Sequence, residues 1–307
     1  LFCKPVRALP FLPSGQQDSL SATDGPRTSS HAIGTISLLM LCLVTNIHFS
    51  RATAMKQLSQ DFWNIRGDFK IAHVINIGTH MSVVRRPGGK FVLLDSYEPA
   101  KQDLDALMTL TEGGSMIEAV LNVHPFHTIH CGFAEKLAPN ARLIGTRRHH
   151  EQKPDLHWDT ALIEDAATQQ EFADLFDFSI PSGVDFISDD EAVHVSSVLL
   201  RHRASRIVHA DDTLMYIDLP ALAQKLIPGP QLRFHPKLAD GLEKRAGAAD
   251  DYVRWANQLA SEWADTSMIC AAHNGILDMS GQNFPEAIRE ALDAAAPTLD
   301  KHRSKYG

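Results

Sequence analysis

The sequence predicts a mixed α/β sandwich, with β-sheets inside and helices outside. Two β-rich runs, residues 69–77 and 80–86, are followed by Pro87-Gly88-Gly89 and by a third apolar run, residues 90–95. Proline and glycine between apolar runs indicate a hairpin. Beyond this hairpin, strand-like and helix-like segments alternate along the chain, twice over. This order is typical of sheets that are covered by helices.

The spacing of apolar residues predicts the later elements. Residues 101–112 have the spacing of an amphipathic helix that Gly113-Gly114 closes. Residues 149–180 are polar and mixed, and we interpret them as an insert that is a candidate lid. The remaining expected elements are strands at 117–123, 141–144, 184–187, 194–200, 206–209, 213–217 and 267–272, and helices at 133–137, 236–264 and 284–295.

Length and composition exclude several classes of protein. The 307 residues are 44% apolar and 21% charged, which suffices for one large folded domain or two small ones. The formal charge of −8 and the lack of a Lys/Arg-rich stripe argue against nucleic acid as a partner. The four cysteines form no CxxC pair, so neither a disulfide scaffold nor a thiolate zinc finger is supported.

Residues 1–54 differ in pattern from the rest of the chain. They contain an apolar run, residues 36–44, that is shorter than the about 20 residues of a membrane-spanning helix, so we expect no stable membrane insertion. We interpret residues 1–54 as a disordered leader or an over-extended N-terminus, and residues 55–307 as the folded domain of a cytoplasmic protein. Export is the alternative, because the run has the length of a signal-peptide core and Ala52-Thr53-Ala54 matches a cleavage site.

Histidine is unusually frequent, with 16 residues, and three of them fall within seven positions. His124, His127 and His130 directly follow a predicted buried strand. Functional sites gather at the carboxyl ends of strands in α/β proteins, and imidazole is the commonest metal ligand. The cluster therefore indicates a metal site. The alternative is a loop whose histidines contact water.

Two further segments repeat this strand-end pattern. His194 precedes a pair of predicted strands that ends at Asp211 and Asp212, and His273 follows the strand at 267–272. A carboxylate at the start of an apolar strand must be paired or bound to a metal, because burying it alone is costly. The candidate metal ligands are His124, His127, His130, His194, Asp212 and His273.

The order of these residues resembles the metallo-β-lactamase-fold superfamily, in an uncharacterised divergent branch. That pattern has a strand-end aspartate, a His-x-His-x-Asp-His cluster, a lone histidine, a Gly-Asp pair and a final histidine. The matching positions here are Asp95, the 124–130 cluster, His194, Asp212 and His273, over roughly residues 60–280. The resemblance implies an αββα four-layer sandwich, with two mixed β-sheets flanked by helices.

The cluster departs from the family pattern at two places. Ile129 stands where the family has an aspartate, and one extra residue separates His124 from His127. The second metal site of the family would then retain His130, His273 and the shared Asp212. The favoured first site is then His124, His127 and His194, with Asp212 nearby. Three histidines with an open position suit zinc, which lowers the pKa of bound water to about 7, whereas two histidines with a carboxylate suit iron. We expect one or two zinc ions, with iron as the alternative.

The implied activity is that of a metal-dependent hydrolase acting on a small molecule. Water would attack an ester, thioester, lactone, amide or phosphoester, and because Ile129 replaces the aspartate, the candidate general bases are Asp212 and His130. The alternatives are a non-haem iron oxidoreductase on the same fold and a catalytically silent member that binds a ligand. No motif specifies the substrate or the oligomeric state.

Other residues are expected to support the fold. Asp95 would anchor a loop beside the site, and Asp211 would face solvent or support a ligand. The others are Cys131, Cys270, His202 and His209, expected to be structural, and the stripe of Tyr252, Trp255, Leu259 and Trp263, expected to be core.

Overall fold

The computed structural model describes residues 55–71, 75–76, 78–216, 231–273 and 275–307. The expected leader, residues 1–54, lies outside the described residues. The helices are α1 (Lys101–Leu110), α2 (Cys131–Leu137), α3 (Arg147–Gln152), α4 (Ala166–Glu171), α5 (Leu238–Gly241), α6 (Ala248–Glu262) and α7 (Phe284–Tyr306). In the described part of the chain, no helix combines the length and the apolar content needed to cross a bilayer.

The strands fall into two large sheets and two small ones. They are β1 (Lys56–Ser59), β2 (Phe62–Gly67), β3 (Lys70–Ile71), β4 (Ile75–Asn76), β5 (Thr79–Arg85), β6 (Phe91–Leu94), β7 (Ile117–Leu121), β8 (Arg142–Gly145), β9 (Trp158–Leu162), β10 (Phe176–Ser179), β11 (Leu199–His202), β12 (Ile207–Ala210), β13 (Leu214–Tyr216), β14 (Leu232–Phe234), β15 (Met268–Ala271) and β16 (Gly275–Asp278). The first large sheet has the order β1-β2-β5-β6-β7-β8-β9, and the second has the order β10-β11-β12-β15-β16.

Both large sheets are mixed. The predicted hairpin at Pro87-Gly88-Gly89 is confirmed, because β5 and β6 pair antiparallel around it, whereas β6 to β9 are parallel. In the second sheet β12 and β15 are parallel and the other neighbours are antiparallel. The carboxyl ends of β6 and β7 thus share an edge in one sheet, as do those of β12 and β15 in the other.

Alternating side chains divide the apolar core into layers. On β6, Val92 and Leu94 join a core with Ile207 of the second sheet. Phe91 and Leu93, on the opposite face, pack with Leu107 of α1. Because successive side chains of a strand point to opposite faces, a fully apolar strand such as β6 can bury both.

The outer face of the second sheet is covered by α6 and α7. Tyr252, Trp255, Leu259 and Trp263 are buried there with Val208 of β12, which confirms the predicted core stripe. Helices therefore cover the outer face of each sheet, and the two sheets face each other. This confirms the predicted αββα four-layer sandwich.

Several predicted elements were wrong in extent. Strand β11 begins at Leu199 rather than at residue 194, because Ser197 N–H donates to Thr213 Oγ1 (2.8 Å) and Val198 N–H donates to the Val123 carbonyl (3.0 Å) instead of to a neighbouring strand of the same sheet. The predicted strand at 184–187 is reduced to one bridge, between Val184 and Leu242.

Two helical predictions and the polar insert were also wrong in part. The segment 236–264 is divided into α5 and α6, because Gly247 takes a left-handed conformation (φ 80°) in front of α6. The last helix continues past Pro297 to Tyr306. Residues 149–180 contain β9, which pairs with β8, so this part of the insert is an edge strand rather than a lid.

The Gly113-Gly114 turn that closes α1 offers a matched test of this packing. Both glycines have positive φ (71° and 83°), but a Cβ at Gly113 would meet open space, whereas one at Gly114 would overlap the Leu137 carbonyl oxygen at the end of α2. We expect Gly113→Ala to cost about 1 kcal/mol through its left-handed backbone, and Gly114→Ala to cost about 3 kcal/mol because backbone must also move.

Urea denaturation of both variants measures this difference through the transition midpoint at constant m-value. Equal losses at the two positions would show that α1 and α2 are not packed closely at this turn.

Candidate metal centre

The loop after β7 carries the histidine cluster, and Asp95 anchors it as predicted. Asp95 ends β6, where its Oδ1 accepts a hydrogen bond from Val123 N–H (2.8 Å). Its backbone is left-handed (φ 61°), a conformation that aspartate tolerates better than most residues. This contact fixes the start of the loop immediately before His124.

Four histidines face the carboxylate of Asp212. Asp212 Oδ2 lies 3.2 Å from His124 Nε2, 3.0 Å from His194 Nδ1 and 3.8 Å from His127 Nε2, and Asp212 Oδ1 lies 2.8 Å from His273 Nε2. Asp212 is 1% exposed. The structure therefore brings five of the six candidate ligands together, from the loop after β7, the segment before β11 and the ends of β12 and β15.

Hydrogen bonds orient two of these imidazoles toward Asp212. His127 Nδ1 lies 3.0 Å from Asp211 Oδ2, and His273 Nδ1 lies 2.9 Å from the Gly78 carbonyl oxygen. Carboxylate and carbonyl oxygens only accept hydrogen bonds, so the Nδ1–H of each histidine is the donor. The Nε2 atom of each ring then faces Asp212. Metal-ligating histidines are held in this way.

Two atoms at the centre have no hydrogen-bond partner among the described residues: His124 Nε2 and Asp212 Oδ1. Both are buried, and both lie close to other polar atoms without hydrogen-bond alignment. An unsatisfied buried polar atom is costly. The ligand atoms of His124, His127 and Asp212 all lie within 4.8 Å of one another, so the donor set fits a divalent cation.

The electrostatics keep the carboxylate in its ligating form. Burial raises the pKa of Asp212, but the neighbouring His124, His194 and His273 more than offset this and hold it well below the usual range. Burial lowers the pKa of His127, yet the charges of Asp211 and Asp212 outweigh burial and raise it to about 10. Near pH 7 the ionised Asp212 is therefore faced by a protonated His127, whose proton a bound cation would displace.

His130, the sixth candidate, lies apart from this group. It is the N-cap residue of α2, half-buried, with its ring edge-on to Tyr97 at 5.4 Å between centroids. Among the described residues, it belongs to none of the groups whose ligand atoms lie within 4.8 Å of one another. Burial lowers the pKa of His130. Ile129 beside it is 67% exposed.

Two further residues belong to the centre, and sequence reasoning singled out only one of them. Asp211, which was expected to face solvent or to support a ligand, is 2% exposed and supports His127. His235 lies with its ring 5.9 Å from that of His194, and its Nδ1 accepts a hydrogen bond from Lys237 N–H. Burial lowers the pKa of His235 to about 4. His235 directly follows β14, so the strand-end signal that found the other histidines would have found it.

A cavity of about 480 Å³ opens beside the centre. Arg148 lies on its wall, 4.2 Å above the ring centroid of Phe126, and pairs with Glu191. This volume is in the range of small-molecule pockets. Its other lining residues include His127, His130, His194 and His273.

Comparison by sequence finds no family model and no curated protein that matches this chain. Comparison by structure gives strong matches. A metallo-β-lactamase from Erythrobacter litoralis superposes with a TM-score of 0.53 at 16% identity, over 79% of this chain and 96% of that protein.

Two other solved structures agree. VMB-1 matches with a TM-score of 0.52 at 12% identity, and TMB-1 with a TM-score of 0.51 at 8% identity, each over 79% of this chain and 98% of the other. At such low identity the likeness concerns the fold. The two facing mixed sheets, their outer helices and these matches together show that the chain has the metallo-β-lactamase fold, in a divergent form.

Proposed function

We propose that this protein is a metal-dependent hydrolase of a small-molecule substrate. The observation that carries the proposal is the convergence of four imidazoles on the buried Asp212 beside an open cavity. We assign the metal to His124, His127, His194, Asp212 and His273. Zinc is the expected ion, and iron is the alternative.

A divalent ion held by these residues supplies a Lewis acid for a carbonyl or phosphoryl group and lowers the pKa of water. The contribution of the chain is rigidity. Asp211 holds His127 from one side, the Gly78 carbonyl holds His273 from the other, and Asp212 remains ionised between them. Donors fixed before the reaction need no reorganisation during it.

The sequence left Asp212 and His130 as candidate general bases. Both oxygens of Asp212 are faced by imidazoles, which suits a ligand. His130 lines the cavity, and burial lowers its pKa, so its imidazole is neutral near pH 7 and able to accept a proton. We therefore assign proton acceptance to His130, because position 129 carries an isoleucine rather than a carboxylate.

The metal assignment predicts a loss of bound ion in a ligand variant. The full chain, purified without a histidine tag, is expected to contain zinc or iron. The His124→Ala/His127→Ala variant should lose about one equivalent per chain, because two ligands of one ion are removed. Elemental analysis measures this. His157→Ala is the matched control, because His157 is exposed and paired with Glu135, and it should retain the wild-type content.

Unchanged metal content in the double variant, or a wild-type chain that binds none after reconstitution, would exclude the metal centre. A chain that contains iron and hydrolyses nothing would favour the oxidoreductase alternative.

The hydrolase assignment predicts different defects for a ligand and for a proton acceptor. Metal-loaded protein is assayed on nitrophenyl esters and phosphoesters, a thioester, a lactone and an anilide. Asp212→Asn should lose both metal and activity. His130→Gln should retain its metal but lower kcat by roughly 100-fold, because only proton transfer is removed.

Full activity in His130→Gln would refute its role as the proton acceptor. A metal-loaded wild type that is inactive on every substrate class would refute hydrolysis and favour the catalytically silent alternative.

A further inference from the structure

A second group of buried titratable side chains lies between the two large sheets. This inter-sheet cluster consists of His80, Asp95, His209 and Asp211, which are 2%, 5%, 0% and 2% exposed. His80 is on β5 and Asp95 ends β6 in the first sheet, whereas His209 is on β12 and Asp211 follows it in the second. Both sheets thus contribute a histidine and a carboxylate.

The donor atoms of the cluster are close together. His209 Nε2 lies 2.9 Å from Asp95 Oδ2, and the rings of His80 and His209 stack in parallel with centroids 4.3 Å apart. The ligand atoms of His80, Asp95 and His209 all lie within 4.8 Å of one another. This spacing is compatible with a shared ion at the usual metal–ligand distances of about 2.0–2.2 Å.

One nitrogen in the cluster has no hydrogen-bond partner among the described residues: His80 Nε2. It points toward Asp211 Oδ1 at 3.6 Å, which is too long for a hydrogen bond. A buried imidazole nitrogen without a partner is costly, and here it faces carboxylates.

The charge of the cluster also favours a cation. Asp95 and Asp211 are buried near each other. The oxygens of Asp95 contact His209 and the Val123 amide, and those of Asp211 contact His80 and His127. Buried carboxylates are paired with cations or coordinate metals. Arg66 is a further charged neighbour of His80. When His127 is a neutral ligand of the Asp212 centre, one divalent ion between the sheets would balance both carboxylates.

The remaining ring nitrogens have neighbours that suit metal ligation. His209 Nδ1 lies 2.9 Å from Ser82 Oγ, which can accept its proton. His80 Nδ1 lies 3.2 Å from Asn64 Nδ2, and Asn64 Oδ1 has no partner among the described residues. Rotation of this amide by 180° would present Oδ1 as the acceptor that a ligating His80 needs, in exchange for the 3.3 Å hydrogen bond that Asn64 Nδ2 donates to the Met81 carbonyl.

We propose that the inter-sheet cluster is a second metal site, which takes a divalent first-row transition ion between the sheets. His80 Nε2, His209 Nε2 and Asp95 are its ligands, and Asp211 completes a set of two imidazoles and two carboxylates. The ion takes the place of the proton between His209 and Asp95. It ties the first sheet to the second, and it does so with ligands other than those of the Asp212 centre.

The test uses the full chain reconstituted with zinc alone, followed by elemental analysis. The wild type should bind two equivalents, His80→Asn one, and the His124→Ala/His127→Ala variant one. His202→Asn is the matched control, because His202 is another buried strand histidine but bonds Ser205 outside the cluster. It should retain two equivalents.

Thermal unfolding keeps the test decisive if His80→Asn does not fold. In the His124→Ala/His127→Ala variant, zinc should raise Tm by about 5 °C and EDTA should reverse the rise, because the inter-sheet ion binds only the folded chain.

The outcomes separate this site from the proposed function. One outcome is that the wild type binds one equivalent of zinc, the His124→Ala/His127→Ala variant binds none, and zinc does not change the Tm of that variant. This outcome overturns the inter-sheet site and leaves the Asp212 centre. A single equivalent that disappears only in His80→Asn supports the inter-sheet site and removes the Asp212 centre. A chain without bound zinc overturns both.

Discussion

The rest of the structure depends on one ionised carboxylate that is almost completely removed from water. Asp212 is 1% exposed, and its burial would cost several kcal/mol if its charge were not compensated. The compensation comes from imidazoles on separate segments: the loop after β7, the stretch before β11 and the end of β15. Because β12 and β15 pair in parallel, Asp212, which follows β12, and His273, which follows β15, lie at the same edge of the second sheet.

The same constraint explains why the space between the sheets is divided into two regions. At one end Val92, Leu94 and Ile207 form an ordinary apolar core. Ser82 of β5, the register partner of Leu94, marks the border of this core, where it bonds His209 of the second sheet, and His80 stacks on His209 there. Apolar contacts are tolerant of small displacements, whereas hydrogen bonds are directional. The polar region therefore sets the registration of one sheet against the other, and with it the position of Asp212.

The expectation that functional residues lie at the ends of strands predicted much of the candidate metal centre from sequence. It found His124, His127, His194, Asp212 and His273, because each stands beside an apolar run that can be seen locally. It left Asp211 open between solvent and the support of a ligand, and it did not find the position of His80, because the burial of both residues depends on strands more than 100 positions apart. The layer order was predictable from the alternation of elements, but the break at Gly247 was not, because the helical spacing continues across it.

The position of negative charge distinguishes this centre from the family pattern that the sequence resembles. At residue 129 that pattern has an aspartate beside the last histidine of the cluster, and this chain has an exposed isoleucine at the cavity wall. Where the pattern has a Gly-Asp pair, this chain has Asp211-Asp212, and Asp211 reaches His127 from the buried side. In this chain the carboxylate beside the cluster is therefore Asp211, which is buried, rather than a residue at position 129. The histidines retain a carboxylate neighbour, while the cavity wall at 129 becomes apolar. Under the proposed function, the proton acceptor at this part of the wall is then the neutral imidazole of His130 rather than a carboxylate at position 129.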